Sequence, residues 1–426
     1  MRLTMVIITS VLGIMSVYSV FRSLIMTILI TLRNILKSRN AVIGTILGTG
    51  GYVTYSDRMR YKRMTSVYCQ GNILCPFDEP NCESDFHPRP ALQDTIKRTL
   101  APTFTSEYYL VRGEVGSGKS RLLMQEVREM INTSGASKRG APVYVLASQG
   151  KSFAETLGHA VHFQFDENVN FSFYMSYLLG IEKFPSREEH HKTIRVLDAI
   201  EKSSSSYARA HGRPVVLVID GLDVIREHSS ALMTRLQEKA KLWADANICK
   251  VVFVCNDEKT EDELLQNSSN WSRMAAPIHV GDLSRAEAVA YLTGSTATDG
   301  AHLVSAATAE QTYKLVGGRF QHLLIFKRDL GLNLSFEEIR RKVMTKEKEK
   351  FVGIAKSTDF WKFMTYLFSV QDKTCYQSDV TSRFSEYVLH ECMRRGIVKL
   401  ERSDRGTLVT FYSTLTESTM GELLKA

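Results

Sequence analysis

Glycine, lysine and serine recur in this chain at a spacing that suits phosphate chemistry. Residues 108–120 read YYLVRGEVGSGKS, placing Gly113, Gly118, Lys119 and Ser120 in the order G-x-x-x-x-G-K-S. Glycines at 113, 116 and 118 let the backbone N–H groups of Gly113, Glu114, Val115, Gly116, Ser117 and Gly118 turn inward onto phosphate oxygens. A helix starting at the lysine adds the positive end of its dipole. Lys119 can then reach the outer phosphates of ATP, and Ser120 can offer its hydroxyl to Mg²⁺. Further along, PVVLVIDGLDVI (Pro214–Ile225) runs apolar residues straight into Asp220, a second candidate ligand for Mg²⁺. The position after it, where many ATPases keep a catalytic glutamate, is Gly221, which leaves Asp223 as the nearest carboxylate for activating water. A third apolar run, KVVFVCND (Lys250–Asp257), ends in Asn256 and Asp257, and Asn256 is suited to orienting that water.

These residues need elements that bring them together. The run Tyr108–Val111 reads as a strand, and RLLMQEVREM after the loop has helical apolar spacing at Leu122, Leu123, Val127 and Met130. Strand, glycine loop and helix in that order are the context a phosphate-binding loop requires. PVYVLA (Pro142–Ala147) and APIHVG (Ala276–Gly281) read as further strands. All the chemistry then falls at carboxyl ends of strands, as an open parallel sheet demands. The predicted core is a three-layer α/β P-loop NTPase over residues 86–282. HHKTIRVLDAIEKSSSSYARAHGRP reads as a helix that relaxes into a solvated serine-rich loop.

The chain resembles the AAA+/STAND branch of P-loop ATPases, IDGLD being similar to the Walker B element of NACHT-type and archaeal STAND ATPases. FHPRPALQDTIKRTL (Phe86–Leu100) resembles the lead-in of those families, an arginine-containing box and a helix, which implies that Arg89 helps bind nucleotide. LVGGRFQHLL (Leu315–Leu324) resembles their Gly-Gly-x-Pro-x-x-Leu lid stretch, with Phe320 where proline is usual. The resemblance spans about residues 86–330 and implies a helical lid over the adenine and Mg²⁺-dependent ATP hydrolysis. It also implies that Arg273 or Arg319 supplies charge to the γ-phosphate, within one subunit or between two. NACHT-type sites often continue DGLDE, whereas Val224 follows Asp223 here, a departure that goes with slow turnover.

The lid is expected over 283–352, with capping boxes at Ser284/Glu287 and Ser335/Glu338 and a helix end at Gly317–Gly318. Residues 353–426 read as helices followed by two alternating strands, IVKLERS and TLVTFYS, a winged-helix-like α+β module. Such modules often bind DNA, but the charge is in the wrong place. Residues 1–63 hold nine of the 54 basic residues and one of the 46 acidic ones, leaving 45 of each in the rest. A packing role is therefore expected, with a protein client or self-association rather than nucleic acid as partner.

The basic N-terminus, 1–63, instead suits a membrane. Leu3–Phe21 is an uncharged stretch between Arg2 and Arg22, long enough as a helix for a bilayer core, and Asn40–Ser56 is a shorter glycine-bearing one. No acid occurs before Asp57. A targeting or transmembrane helix is expected, at the mitochondrial inner membrane ahead of the ER or another endomembrane. Residues 64–85 read as a linker whose Cys69, Cys75 and Cys82 are too widely spaced, with His87 beyond, for a zinc site and are expected as free thiols.

Overall fold

The computed structural model describes residues 25–26, 28, 58–74, 86–134, 140–165, 189–266, 271–294, 304–403 and 406–425. The two N-terminal apolar stretches, Leu3–Phe21 and Asn40–Ser56, lie outside them, as do Cys75 and Cys82. Among the described residues no helix is long and apolar enough to cross a membrane.

The core is a sheet of six parallel strands: β1 (Asn72–Leu74), β2 (Tyr109–Arg112), β3 (Val143–Leu146), β4 (Val215–Asp220), β5 (Cys249–Cys255) and β6 (Ile278–His279). Their order in space is β1-β3-β4-β5-β2-β6. The central strands β4 and β5 are buried along their whole length, as near-continuous apolar runs in a parallel sheet should be. Alternate residues point to opposite layers. Val216, Val218, Val252 and Val254 pack with Ile96, Leu122, Leu123 and Val127 from the helices Pro90–Leu100 and Lys119–Ser134. On the other face the ring of Tyr108 meets Phe253 edge-on, centroids 5.8 Å apart. Its hydroxyl accepts a hydrogen bond of 2.9 Å from Gln237 of the helix Ser230–Asp245.

Two expectations fail here, for one reason. Residues 64–85 are no simple linker: residues 63–70 are helical, and Asn72–Leu74 adds an edge strand beside β3. Nor does the serine-rich run leave the helix, which continues from Glu189 to His211. Ser203 and Ser204 are fully buried. Ser203 donates to Ala199 O at 2.7 Å, and its hydroxyl lies 2.9 Å from that of Tyr68. Serine is a neutral helix former that tertiary partners decide. The partner came from the segment read as a linker, so both readings turned on the same contact.

Beyond β6 the lid comprises the helices Arg285–Thr293, Ala306–Val316, Phe320–Gly331 and Phe336–Lys348. Both expected capping boxes form, and Gly317 ends its helix at φ +68°. The C-terminal module runs helix Thr358–Ser369, β7 (Cys375–Tyr376), helices Gln377–Arg383 and Glu386–Arg394, then the antiparallel hairpin β8 (Val398–Ser403) and β9 (Gly406–Phe411). That is the element order of a winged helix, β7 pairing with β9. A last helix, Thr414–Leu423, ties module to lid: Leu415 joins the lid core and Met420 the module core.

If residues 64–74 belong to the core, Tyr68→Ala should lower stability by about 3–4 kcal/mol in urea denaturation. A loss under ~0.5 kcal/mol, the usual size for a surface position, would return the segment to a linker.

Candidate nucleotide-binding site

Sheet register gathers the site. Val111 of β2 pairs with Val254 of β5, Val254 with Asp220 of β4, and Asp220 with Leu146 of β3. One row across four strands therefore sets the phosphate loop, Asp220 and the end of β5 at a common level. Gly113, Gly116 and Gly118 hold φ of +159°, +83° and +93°. At Gly113 a Cβ would lie 2.2 Å from Val280 O, so only glycine lets the loop turn there.

Lys119, almost fully buried, folds its amine back along the loop and donates to Gly113 O at 2.6 Å and Glu114 O at 2.9 Å. Burial lowers its pKa, and the Asp220 carboxylate opposes the shift. Asp220 accepts from the Tyr144 hydroxyl at 2.5 Å and is hydrogen-bonded by Ser120 and by the backbone of Gly221. Burial raises its pKa against those bonds. Ser117 Oγ is buried with no hydrogen-bond partner among the described residues, an orphan beside the loop that phosphate oxygens can satisfy.

Why no glutamate follows Asp220 is visible in the backbone. Gly221 sits at φ +85°, and a Cβ there would lie 2.7 Å from Ala147 O. Asp223, one helical turn on, is occupied. Its carboxylate accepts from Asn256 N at 2.8 Å, Asn256 Nδ2 at 2.7 Å, Asp257 N at 3.3 Å and Thr260 Oγ1 at 3.0 Å. Burial, then the charge of Asp257, pushes its pKa up to about 6. Asp223 thus fixes the tip of β5, with Asn256, against the helix Leu222–His228.

The two candidate arginines part company. Arg273 lies at the amino end of β2, where its carbonyl accepts from Tyr108 N at 2.9 Å, and its guanidinium pairs with Asp245 at 2.6 Å. The phosphate loop leaves the opposite end of that strand, so Arg273 is not in this chain's own site. Arg319 is in it, and only 3 % exposed. It donates to Asp282 Oδ1 at 2.7 Å, to Val115 O at 3.0 Å and to Tyr412 O at 3.2 Å, and it pairs with Glu114. Beside it, Gln321 N donates to Gly116 O at 3.0 Å, docking the lid on the loop.

A shallow open cleft adjoins Gly118, lined by Phe86, His87, Arg89, Leu122, Val280 and Phe320. Its lining is mostly apolar, with Arg89, Arg121 and His87 among it. His87, whose pKa burial lowers, meets Tyr291 edge-on at 5.6 Å, so it faces the lid and not Cys69. Arg89 donates to Gly281 O at 2.9 Å. Phe86 and Val280 carried no chemical signal of their own in the sequence, and His87 was weighed only beside the cysteines. Phe320 carried one, as the residue in proline's place. Glu114 was read only for its backbone, and Lys399, which pairs with it, lies 285 residues away. No local pattern announces such a pair.

Residues 89–251 match the family model of the AAA ATPase domain. The chain is similar in fold to the Walker-type ATPase paby2304 of Pyrococcus abyssi, with a TM-score of 0.51, 14 % identity, and coverage of 80 % of this chain and 97 % of that one. It also aligns with the ORC2 protein of Aeropyrum pernix in its ADP form (TM-score 0.47, 10 % identity, 81 % and 98 % covered). The ORC1 protein of the same organism in complex with DNA gives a TM-score of 0.43 at 12 % identity, 80 % and 94 % covered. No curated protein matches the sequence.

Asp223→Ala would strip four donors of their acceptor, so a loss of about 3 kcal/mol is expected in urea denaturation at neutral pH. A folded pKa of about 6 lies above the unfolded value. The folded state therefore takes up the proton first as pH falls, and this group's contribution to stability should fall from pH 4 to pH 6 and level off above. The variant should lack that slope. Unchanged stability at both pH values would mean that Asp223 is a free carboxylate.

Proposed function

We propose that the protein is an ATP-binding, slowly ATP-hydrolysing molecular switch of the STAND kind. The observation that carries this reading is the convergence of Lys119, the Ser120–Asp220 pair and the lid residue Arg319 on one glycine loop. Ser120 and Asp220 would hold Mg²⁺, which when bound neutralises charge on the β- and γ-phosphates. The oxygen-rich Ser120–Asp220 pair fits that ion, and the orphaned Ser117 Oγ fits a phosphate oxygen. Lys119 would exchange its loop carbonyls for phosphate oxygens, and Arg319 would report the γ-phosphate to the lid. Asp223 is a positioning residue in this reading, holding Asn256 toward the attacking water, and turnover is slow because, among the described residues, no unengaged carboxylate stands beside Asp220. The same engagement supports a second reading, a scaffold that binds nucleotide without turning it over.

We also propose that Leu3–Phe21 anchors the chain in a membrane, and that this is the mitochondrial inner membrane, since residues 1–56 hold no acid and carry arginines on either side of the stretch. The partner is a protein client or a second copy, whose site Arg273 could reach. Nucleic acid has no part in it, since the basic surplus lies before residue 64.

The full chain in detergent should bind a fluorescent ATP analogue, and Lys119→Ala should weaken binding roughly 10- to 100-fold, the value of a charged hydrogen bond. Equal binding by both would end the nucleotide reading. Phosphate release should run below ~1 s⁻¹, and none above the Lys119→Ala background would select the scaffold. In cells, the tagged chain should stay with mitochondrial membranes through alkaline carbonate extraction; recovery in the supernatant would refute the anchor.

A further inference from the structure

Glu114 stands in the phosphate loop, where a carboxylate is of no use for holding anions and repels them. Yet its side chain is only 22 % exposed and both oxygens are engaged. Oε2 accepts from Arg319, the residue before the lid helix Phe320–Gly331, and Oε1 accepts from Nζ of Lys399 on β8. Lys399 is held in turn by Glu401 at 2.5 Å. Tyr412, just past β9, gives its carbonyl to Arg319 and lies under the guanidinium, 5.4 Å from ring centroid to charge. Loop, lid and C-terminal hairpin therefore meet on one carboxylate.

We propose that Glu114 is a latch opened by nucleotide phosphates, which compete with its carboxylate for Arg319 and Lys399, so that binding frees the C-terminal hairpin from the core. The proposal rests on the reading of the loop as an ATP site. A triphosphate presents several oxygens and more than one negative charge where Glu114 presents one, and the planar fork of Arg319 suits phosphate at least as well as carboxylate. Losing Arg319 leaves Glu114 facing like charge, which drives it and Lys399 outward together. By linkage the effect is reciprocal: a docked hairpin weakens ATP binding by the factor by which ATP weakens docking.

Amide hydrogen exchange in residues 398–411 of the full chain, with and without Mg-ATP, reads the latch. Saturating ATP should speed exchange there about tenfold. Glu114→Gln and Lys399→Gln should each show fast exchange without ATP, and Glu114→Gln should bind a fluorescent ATP analogue about tenfold more tightly. Both side chains are part-exposed, and melting curves verify folding. Simple loss of repulsion would tighten binding equally in either background. The latch requires instead that Glu114→Gln add little once Lys399→Gln is present. Hairpin exchange unmoved by ATP, or fully additive effects on affinity, would overturn the latch alone; no binding by the wild-type chain would overturn the ATP site with it.

Discussion

A guanidinium that is almost wholly buried must be surrounded by acceptors, because an unpaired charge in a low-dielectric interior is not tolerated. Arg319 meets that demand from three parts of the chain: Asp282 after β6, Glu114 and Val115 O in the phosphate loop, and Tyr412 O beyond the hairpin. Each acceptor fixes the position of its own segment relative to the others. The lid can sit this close only because Gly318 has no side chain, since a Cβ there would lie 1.8 Å from Leu283 O, itself just past Asp282. Remove the arginine's charge and three segments lose their common reference. Leave it and the loop, lid and hairpin can hardly move independently.

The same economy of position explains the acidic corner after β4. Parallel register lines Asp220 up with Val254 and, through it, with Val111, so its carboxylate lies level with the loop. The chain must then turn sharply into a helix under Ala147 O, and only a residue without Cβ fits at 221. The carboxylate that the turn displaces reappears at Asp223, one step into that helix. There the nearest donors are the amides ending β5, and they take both of its oxygens. What looks in sequence like a catalytic residue moved by two positions is, in three dimensions, a clamp on the neighbouring strand.

Features with local causes were legible in the sequence. The glycine loop, five of the strands, both capping boxes and the hairpin each depend on residues within a few positions of one another, where pattern and propensity act directly. Features that depend on distant partners were not. Tyr68 keeps the serine run helical across 135 residues of sequence, and β1 is three residues long, too short to show alternation. Arg273 and Arg319 each stand near a strand or helix end and read alike as candidate arginines. Only the sheet shows that one lies at the amino edge and the other at the carboxyl edge. The pairing of Lys399 with Glu114 has no periodicity to detect.

The C-terminal module is bound to this arrangement by more than charge. Its last helix returns to the lid, where Thr414 packs against Gly317 so closely that a Cβ on the glycine would lie 2.4 Å from Thr414 Oγ1. Thr416 donates to Glu347 at 2.5 Å and Ser418 to Leu315 O at 3.1 Å, so the helix bonds to two lid helices. Leu415 and Met420, on that one helix, enter separate cores. A lid that rotated about its glycine pair would therefore carry Thr414–Leu423 with it, and the hairpin, joined to that helix through Tyr412 and Ser413, would have to leave the loop or strain the join. Close packing makes the lid and module turn as one body. The ion pairs at Glu114 then resist the movement where the hairpin meets the loop, and a change of charge there is placed to decide it.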